Sequence, residues 1–176
     1  MKRIFIILII IISIVIVGTK TTNVLIPKDA IRLRVIANSN NKEDQDLKKE
    51  ISATIQKDLY PKLLSVKNKE DAKKLLISSE EELSTKVEKT LKENNSSLSY
   101  TINYGNHKFP KKIYKGVEYP EGKYESLVIT LGNATGNNWW CVLFPPLCLL
   151  EAEEDEQVEE VQYKSFVKEL IDKYFK

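Results

Sequence analysis

Both tryptophans and both cysteines of this chain fall within one short run, Asn137-Asn138-Trp139-Trp140-Cys141-Val142-Leu143-Phe144-Pro145-Pro146-Leu147-Cys148. Two kinds of chemistry are open to it. Cys141 and Cys148 would close a small disulfide loop if the chain reversed between them. In a regular strand, residues seven apart stand too far from each other to bridge. The reversal would have to come at Phe144-Pro145-Pro146. The second chemistry is recognition. Tryptophan and phenylalanine hide large apolar areas and dominate interface energetics, while the indole N–H still seeks a polar partner. Two plainer readings compete: a buried strand ending in a turn, and two unpaired buried cysteines.

Acid–base or nucleophilic chemistry has little to draw on. A catalytic group needs a partner within hydrogen-bond reach, and His107 is the only histidine. The sequence holds no Gly-x-Ser-x-Gly, no His-Glu-x-x-His and no phosphate-cradling glycine loop. A small extracytoplasmic hydrolase would have to use His107 with acidic neighbours, or a pair such as Glu121 and Glu125. Two thiols and one imidazole fall short of a structural zinc set, so neither metal nor cofactor is expected. In Tyr104-Gly105-Asn106-His107-Lys108-Phe109-Pro110, His107 reads as a structural histidine near a hairpin turn.

The compartment is set at the start of the chain. Lys2-Arg3 precede an apolar stretch, residues 4–17, broken only by Ser13, and then come Gly18 and polar residues. That pattern is an export signal. It is shorter than the ~20 residues of a comfortable span and lacks an Ala-x-Ala site. Residues 1–18 are therefore either a cleaved signal or an N-terminal anchor, the only membrane contact expected. Lys2-Arg3 keep the N-terminus inside and send the rest out. Outside the cytoplasm disulfides persist, and an even cysteine count suits one bridge.

Charge narrows the partners. Without residues 1–18, which hold Lys2 and Arg3 of the 27 basic residues, bases and acids balance at 25 each. That balance argues against a nucleic-acid binder. It conceals an acidic run at residues 151–160 and a mildly basic stretch before it. Such runs are usually solvated linkers or the first turn of a helix. About 130 residues between signal and acidic run suit one domain with one core. The organisation expected is residues 1–18 for export, 24–150 for an extracytoplasmic domain, and 151–176 for an acidic linker with an amphipathic helix.

The elements that must position these residues follow from periodicity. Residues 30–37 alternate Ile31, Leu33 and Val35 with Arg32 and Arg34, a half-buried strand. Asn38-Ser39-Asn40-Asn41 offers N-caps, and Leu47, Ile51, Ile55 and Leu59 make one helix face, closed at Tyr60-Pro61. Asn68 caps a second helix lined by Ala72, Leu75, Leu76, Leu83, Val87 and Leu91 and stopped at Asn94-Asn95. From Leu98 the period becomes two. Residues 98–104 form a strand, Gly105-Asn106 a turn, and residues 108–114 a strand pairing back. Residues 124–131 and 139–144 are strands, and Val158, Val161, Phe166, Val167, Leu170, Ile171 and Tyr174 recur at helical spacing. This order predicts the α+β class: an antiparallel sheet of four to five strands packed on two long helices, plus a C-terminal helix.

Four stretches carry a family resemblance. They are Ile31-Arg-Leu-Arg-Val-Ile-Ala-Asn-Ser-Asn-Asn-Lys-Glu-Asp-Gln-Asp-Leu-Lys-Lys49, Tyr104-Gly-Asn-His-Lys-Phe-Pro110, Tyr119-Pro-Glu-Gly-Lys-Tyr-Glu125 and Asn138-Trp-Trp-Cys-Val-Leu-Phe-Pro-Pro-Leu-Cys148. In that order they resemble the stage II sporulation protein R family, over about residues 30–148. Lys48-Lys49-Glu50 departs from the family's pattern, and the chain after Leu150 matches none of it. The resemblance implies a ligand with no chemistry of its own. Such a protein is exported from the forespore into the space between the forespore and mother-cell membranes. There it activates a membrane-embedded aspartic protease of the mother cell that processes a precursor sigma factor. The expected partner surface is Trp139, Trp140, Phe144, Pro145 and Pro146, with the Asn106-His107-Lys108-Phe109 loop. A wall- or glycan-binding module, with Trp139, Trp140 and tyrosines as stacking platforms, is the other binding reading.

Overall fold

The computed structural model describes residues 24–114, 116–147 and 160–175. The N-terminal segment expected to direct export, Cys148 and most of the acidic run lie outside the described residues. The described chain runs β1 (Val24–Leu25), β2 (Ile31–Ile36), α1 (Lys42–Leu64), α2 (Lys69–Ser78), α3 (Glu80–Glu93), β3 (Tyr100–Phe109), β4 (Lys112–Tyr114), β5 (Val117–Tyr119), β6 (Gly122–Leu131), β7 (Asn138–Phe144) and α4 (Glu160–Phe175). The class is α+β, as the element order predicts.

Local chemistry starts and stops the helices where polar side chains can replace missing backbone partners. Asn41 caps α1 by accepting from Asp44 N–H at 2.7 Å, and Asn68 caps α2 by accepting from Asp71 N–H at 2.9 Å. The helix expected across residues 72–91 is two, because Ser79 ends α2, its hydroxyl donating back to the Leu75 carbonyl at 2.8 Å. α3 ends with Asn95 at φ +51°, while Ser96 N–H returns to the Leu91 carbonyl and Asn95 N–H to that of Lys92. Tyr60-Pro61 does not close α1. The helix continues one turn to bury Leu63, and that burial offsets the hydrogen bond a proline cannot make.

Among the described residues seven strands form two sheets rather than one. The larger has the order β3-β6-β2-β7 and the smaller β1-β5-β4. Most pairings are antiparallel, but β2 runs parallel to β6 and β1 parallel to β5. After three helices the chain re-enters the larger sheet as β3, antiparallel to β6, and the reversal through β4 and β5 then brings β6 in parallel to β2. Gly105-Asn106 is not a turn. β3 passes straight through it and pairs with β6 over its whole length, from Tyr100↔Leu131 to Phe109↔Gly122. Reversal comes later, between β4 and β5.

The main core lies between the larger sheet and α1–α3. Ile31, Leu33 and Val35 of β2, Leu127 and Ile129 of β6 and Leu143 of β7 meet Leu47, Ile51, Ile55 and Leu59 of α1 and Leu83 and Val87 of α3. A second cluster joins Val24, Ile26, Val117 and Tyr119 to Val142, Leu147 and Val167. α4 lays its apolar face, Phe166, Val167, Leu170 and Ile171, on this second cluster.

Candidate functional site

β2 supplies the first surprise. Its alternation places Arg32 and Arg34 opposite the helix core, where solvent was expected, yet Arg32 is 3% exposed and Arg34 half-buried. Aromatic rings cover them. Arg32 Cζ lies 3.5 Å from the centre of the Tyr124 ring, 5.2 Å from Phe109 and 6.0 Å from Tyr119. Arg34 Cζ lies 5.5 Å from Phe109 and 5.4 Å from Trp140. The rings also pack edge-to-face, with Phe109 and Trp140 centroids 5.0 Å apart and Phe109 and Tyr124 6.0 Å apart. Negative ring faces toward cations and positive edges toward neighbouring rings is the arrangement aromatic quadrupoles favour.

Hydrogen bonding of these arginines is incomplete. Arg32 Nη2 donates to the Pro120 carbonyl at 3.2 Å, but the Nε atoms of both Arg32 and Arg34 are buried without an acceptor among the described residues. A buried donor left unpaired costs about 1–3 kcal/mol. Burial pulls both guanidinium pKa values below their ordinary range, although arginine holds its charge in proteins.

Beside this stack opens a cleft of about 250 Å³ between the two sheets. Arg32, Phe109, Trp139, Trp140 and Cys141 line it with Pro110, Lys111, Lys112, Tyr114, Tyr119 and Asn138. Register decides which tryptophan faces where. Trp139 pairs with Val35 and packs on the main core, whereas Trp140 pairs with Arg34 on the opposite face. Both are half-buried. The register shifts between Ile31 and Arg32, so that Ile31 meets Phe144 while Arg32 meets Val142. This bulge sends both Leu143 and Phe144 to the helix core and leaves Val142 with the small sheet.

Phe144, Pro145 and Pro146 therefore offer no surface. All three are buried, and Phe144 packs edge-on against Tyr174 and Phe175 at 5.0 and 6.0 Å. The Phe144-Pro145 bond is cis, and the chain reverses here, Leu147 N–H returning to the Val142 and Pro145 carbonyls at 3.1 and 2.8 Å. Cys141 is buried and disulfide-bonded; the chain's other cysteine is Cys148.

The expected Asn106-His107-Lys108-Phe109 loop is a stretch of β3, and strand alternation divides it. His107 and Phe109 share the arginine face. Asn106 pairs with Glu125 and Lys108 with Lys123, on the other side. His107 Nδ1 lies 2.8 Å from Ser126 Oγ, and burial, reinforced by the Arg34 charge, lowers its pKa. Glu125 is held between Lys69 and Lys73 at 2.7 and 3.1 Å, and chiefly the Lys69 bond keeps its carboxyl ionised below the usual range. Glu121 is exposed. Sequence reasoning missed Arg32, Arg34, Tyr119, Tyr124, Lys111 and Lys112. The available signal was two arginines, rather than lysines or threonines, alternating through a strand with apolar flanks.

Comparison with known proteins bears on the same segments. The family model described as Stage II sporulation protein R (spore_II_R) matches residues 27–154. The chain belongs to that family. It is also 37% identical over 150 residues to the Stage II sporulation protein R of Bacillus subtilis (strain 168), covering 85% of this chain and 67% of that protein. No solved structure matches it significantly. Its role lies in sporulation, and the family match spans every residue of the cleft.

Proposed function

We propose that this stage II sporulation protein R family member is an exported intercellular signal. It leaves the forespore through its N-terminal segment and, between the two membranes, activates a membrane-embedded aspartic protease of the mother cell that processes a precursor sigma factor. The observation that carries this reading is the cleft. Trp140, half-buried and braced by Arg34 and the buried Phe109, stands beside the exposed Lys111 and Lys112. Rigid aromatic anchors ringed by polar groups are the composition of a protein-recognition surface.

The competing chemistries fit less well. Glu125, ionised between two lysines, is poorly suited to give up a proton at neutral pH. Trp139 and Trp140 lie on opposite faces of β7 and do not make one stacking platform for a sugar. The test is co-expression of the full chain with the candidate protease and precursor sigma factor in a heterologous bacterium. Cleavage that requires all three, and that falls with Trp140→Ala while the variant stays folded, is the expected result. Cleavage independent of this protein, or none with all three present, overturns the reading.

A further inference from the structure

We propose that the cleft between the two sheets is a carboxylate-binding site centred on Arg32, and that its occupant is an extended acidic peptide segment of a partner protein. The inference rests on the signalling reading only for the occupant's being a protein. Arg32 is almost wholly buried and lines the cleft. Among the described residues its guanidinium has a single acceptor, the Pro120 carbonyl, and its Nε has none. Among the described residues neither Arg32 nor Arg34 forms an ion pair. Aromatic faces stabilise the charge but supply no acceptor for the remaining N–H groups. A planar carboxylate does, because its two oxygens match the guanidinium fork.

The rim has the same sign. Lys112 is exposed and makes no ion pair among the described residues, while Lys111 is partly neutralised by Glu118 at 2.9 Å. Two features favour a peptide over a free anion or a lipid surface. Phe109, Tyr119 and Trp140 give the cleft apolar walls. Its two sides are also edge strands, β7 of the larger sheet and β4 of the smaller. An edge strand presents backbone donors and acceptors that an extended chain can pair with.

Both tryptophans of the chain line the cleft, so intrinsic tryptophan fluorescence reports its occupancy. The full chain in neutral phosphatidylcholine nanodiscs is titrated with acetyl-Glu-Val-Glu-Val-Glu-amide and, separately, with its Gln-Val-Gln-Val-Gln counterpart. The glutamate peptide should give a saturable change, bind at least about tenfold tighter than the glutamine peptide, and weaken as salt rises. Lys112→Gln, on the exposed rim, should weaken binding by about three- to tenfold with an unchanged melting temperature. Arg32→Lys should abolish binding; if that variant does not fold, Lys112→Gln decides. Equal binding of the two peptides, no binding, or tighter binding of inorganic phosphate or phosphatidylglycerol vesicles would overturn the proposal. The titration contains no protease. A failed co-expression assay beside intact peptide binding therefore refutes the signalling reading alone, and the converse refutes only the site.

Discussion

Arg32 and Tyr124 share one acceptor. Arg32 Nη2 and Tyr124 Oη both donate to the Pro120 carbonyl, at 3.2 and 3.0 Å, while the guanidinium carbon sits 3.5 Å from the centre of the Tyr124 ring. Two strands and the turn into β6 are thereby tied at one point, from which the wall of the cleft is built.

Substitutions at Tyr124 separate the two parts of that contact. Tyr124→Phe removes only the hydroxyl's bond and should cost about 0.5–1.5 kcal/mol. Tyr124→Leu also removes the ring face beneath a buried cation and should cost about 1–2 kcal/mol more. Urea unfolding of both variants measures the difference. Equal losses would mean that the ring face contributes nothing.

Gly136 holds the loop that leads into Trp139 and Trp140. A Cβ there would collide with the Ser39 carbonyl, while Gly136 N–H bonds to the Ala37 carbonyl at 3.0 Å and Asn137 N–H to Asn40 Oδ1 at 2.7 Å. Backbone cannot give way as a flexible side chain can. Gly136→Ala should therefore destabilise by about 1–3 kcal/mol and blue- or red-shift tryptophan emission. A wild-type melt and spectrum would show that the loop does not position the tryptophans.

His107 should make the fold sensitive to mild acid. Burial first, and the Arg34 charge second, lower its native pKa. The unfolded chain therefore takes up a proton near pH 6.5 while the native protein does not, and stability falls with pH from about 6.5 to the native value, then levels off. Because the chain has one histidine, His107→Gln should flatten that window. Thermal melts across it, with an imidazole proton titration by NMR, provide the check; a native pKa at or above the free value contradicts it.

The tryptophans should divide their duties. Trp139 packs on the main core, so Trp139→Ala should cost about 2–4 kcal/mol. Trp140 bears on Phe109 and Arg34. Trp140→Ala should cost less and weaken activation in the co-expression assay more. Equal early melting of both, or normal activation by both, would reduce this segment to packing.

Cys141 is disulfide-bonded, and the protein should show no reactive thiol after denaturation without reductant. Reduction should lower stability by about 2–3 kcal/mol, as for a short closed loop. Thiol labelling, with mass measured before and after reduction, tests both statements.

The sequence alone determined what local chemistry determines. Asn41 and Asn68 announce helix starts because their side chains serve backbone donors within the next turn. Ile31, Leu33 and Val35 announce a core face because a strand alternates, and the odd clustering of Trp139, Trp140, Cys141 and Cys148 marks the family and one wall of the cleft. Tertiary structure decided what depends on partners distant in the chain. Gly105-Asn106 stayed extended because β6 pairs straight across it, and Pro61 stayed helical because Leu63 gains a buried site. A single bulge opposite Ile31 and Arg32 sent Phe144 inward, and pairing with Val35 and Arg34 set the faces of Trp139 and Trp140. Arg32 became the centre of the site for the same reason. Its strand pattern says only that it faces away from the helices, whereas Tyr124, Phe109 and Tyr119, which bury it, arrive from strands far along the chain.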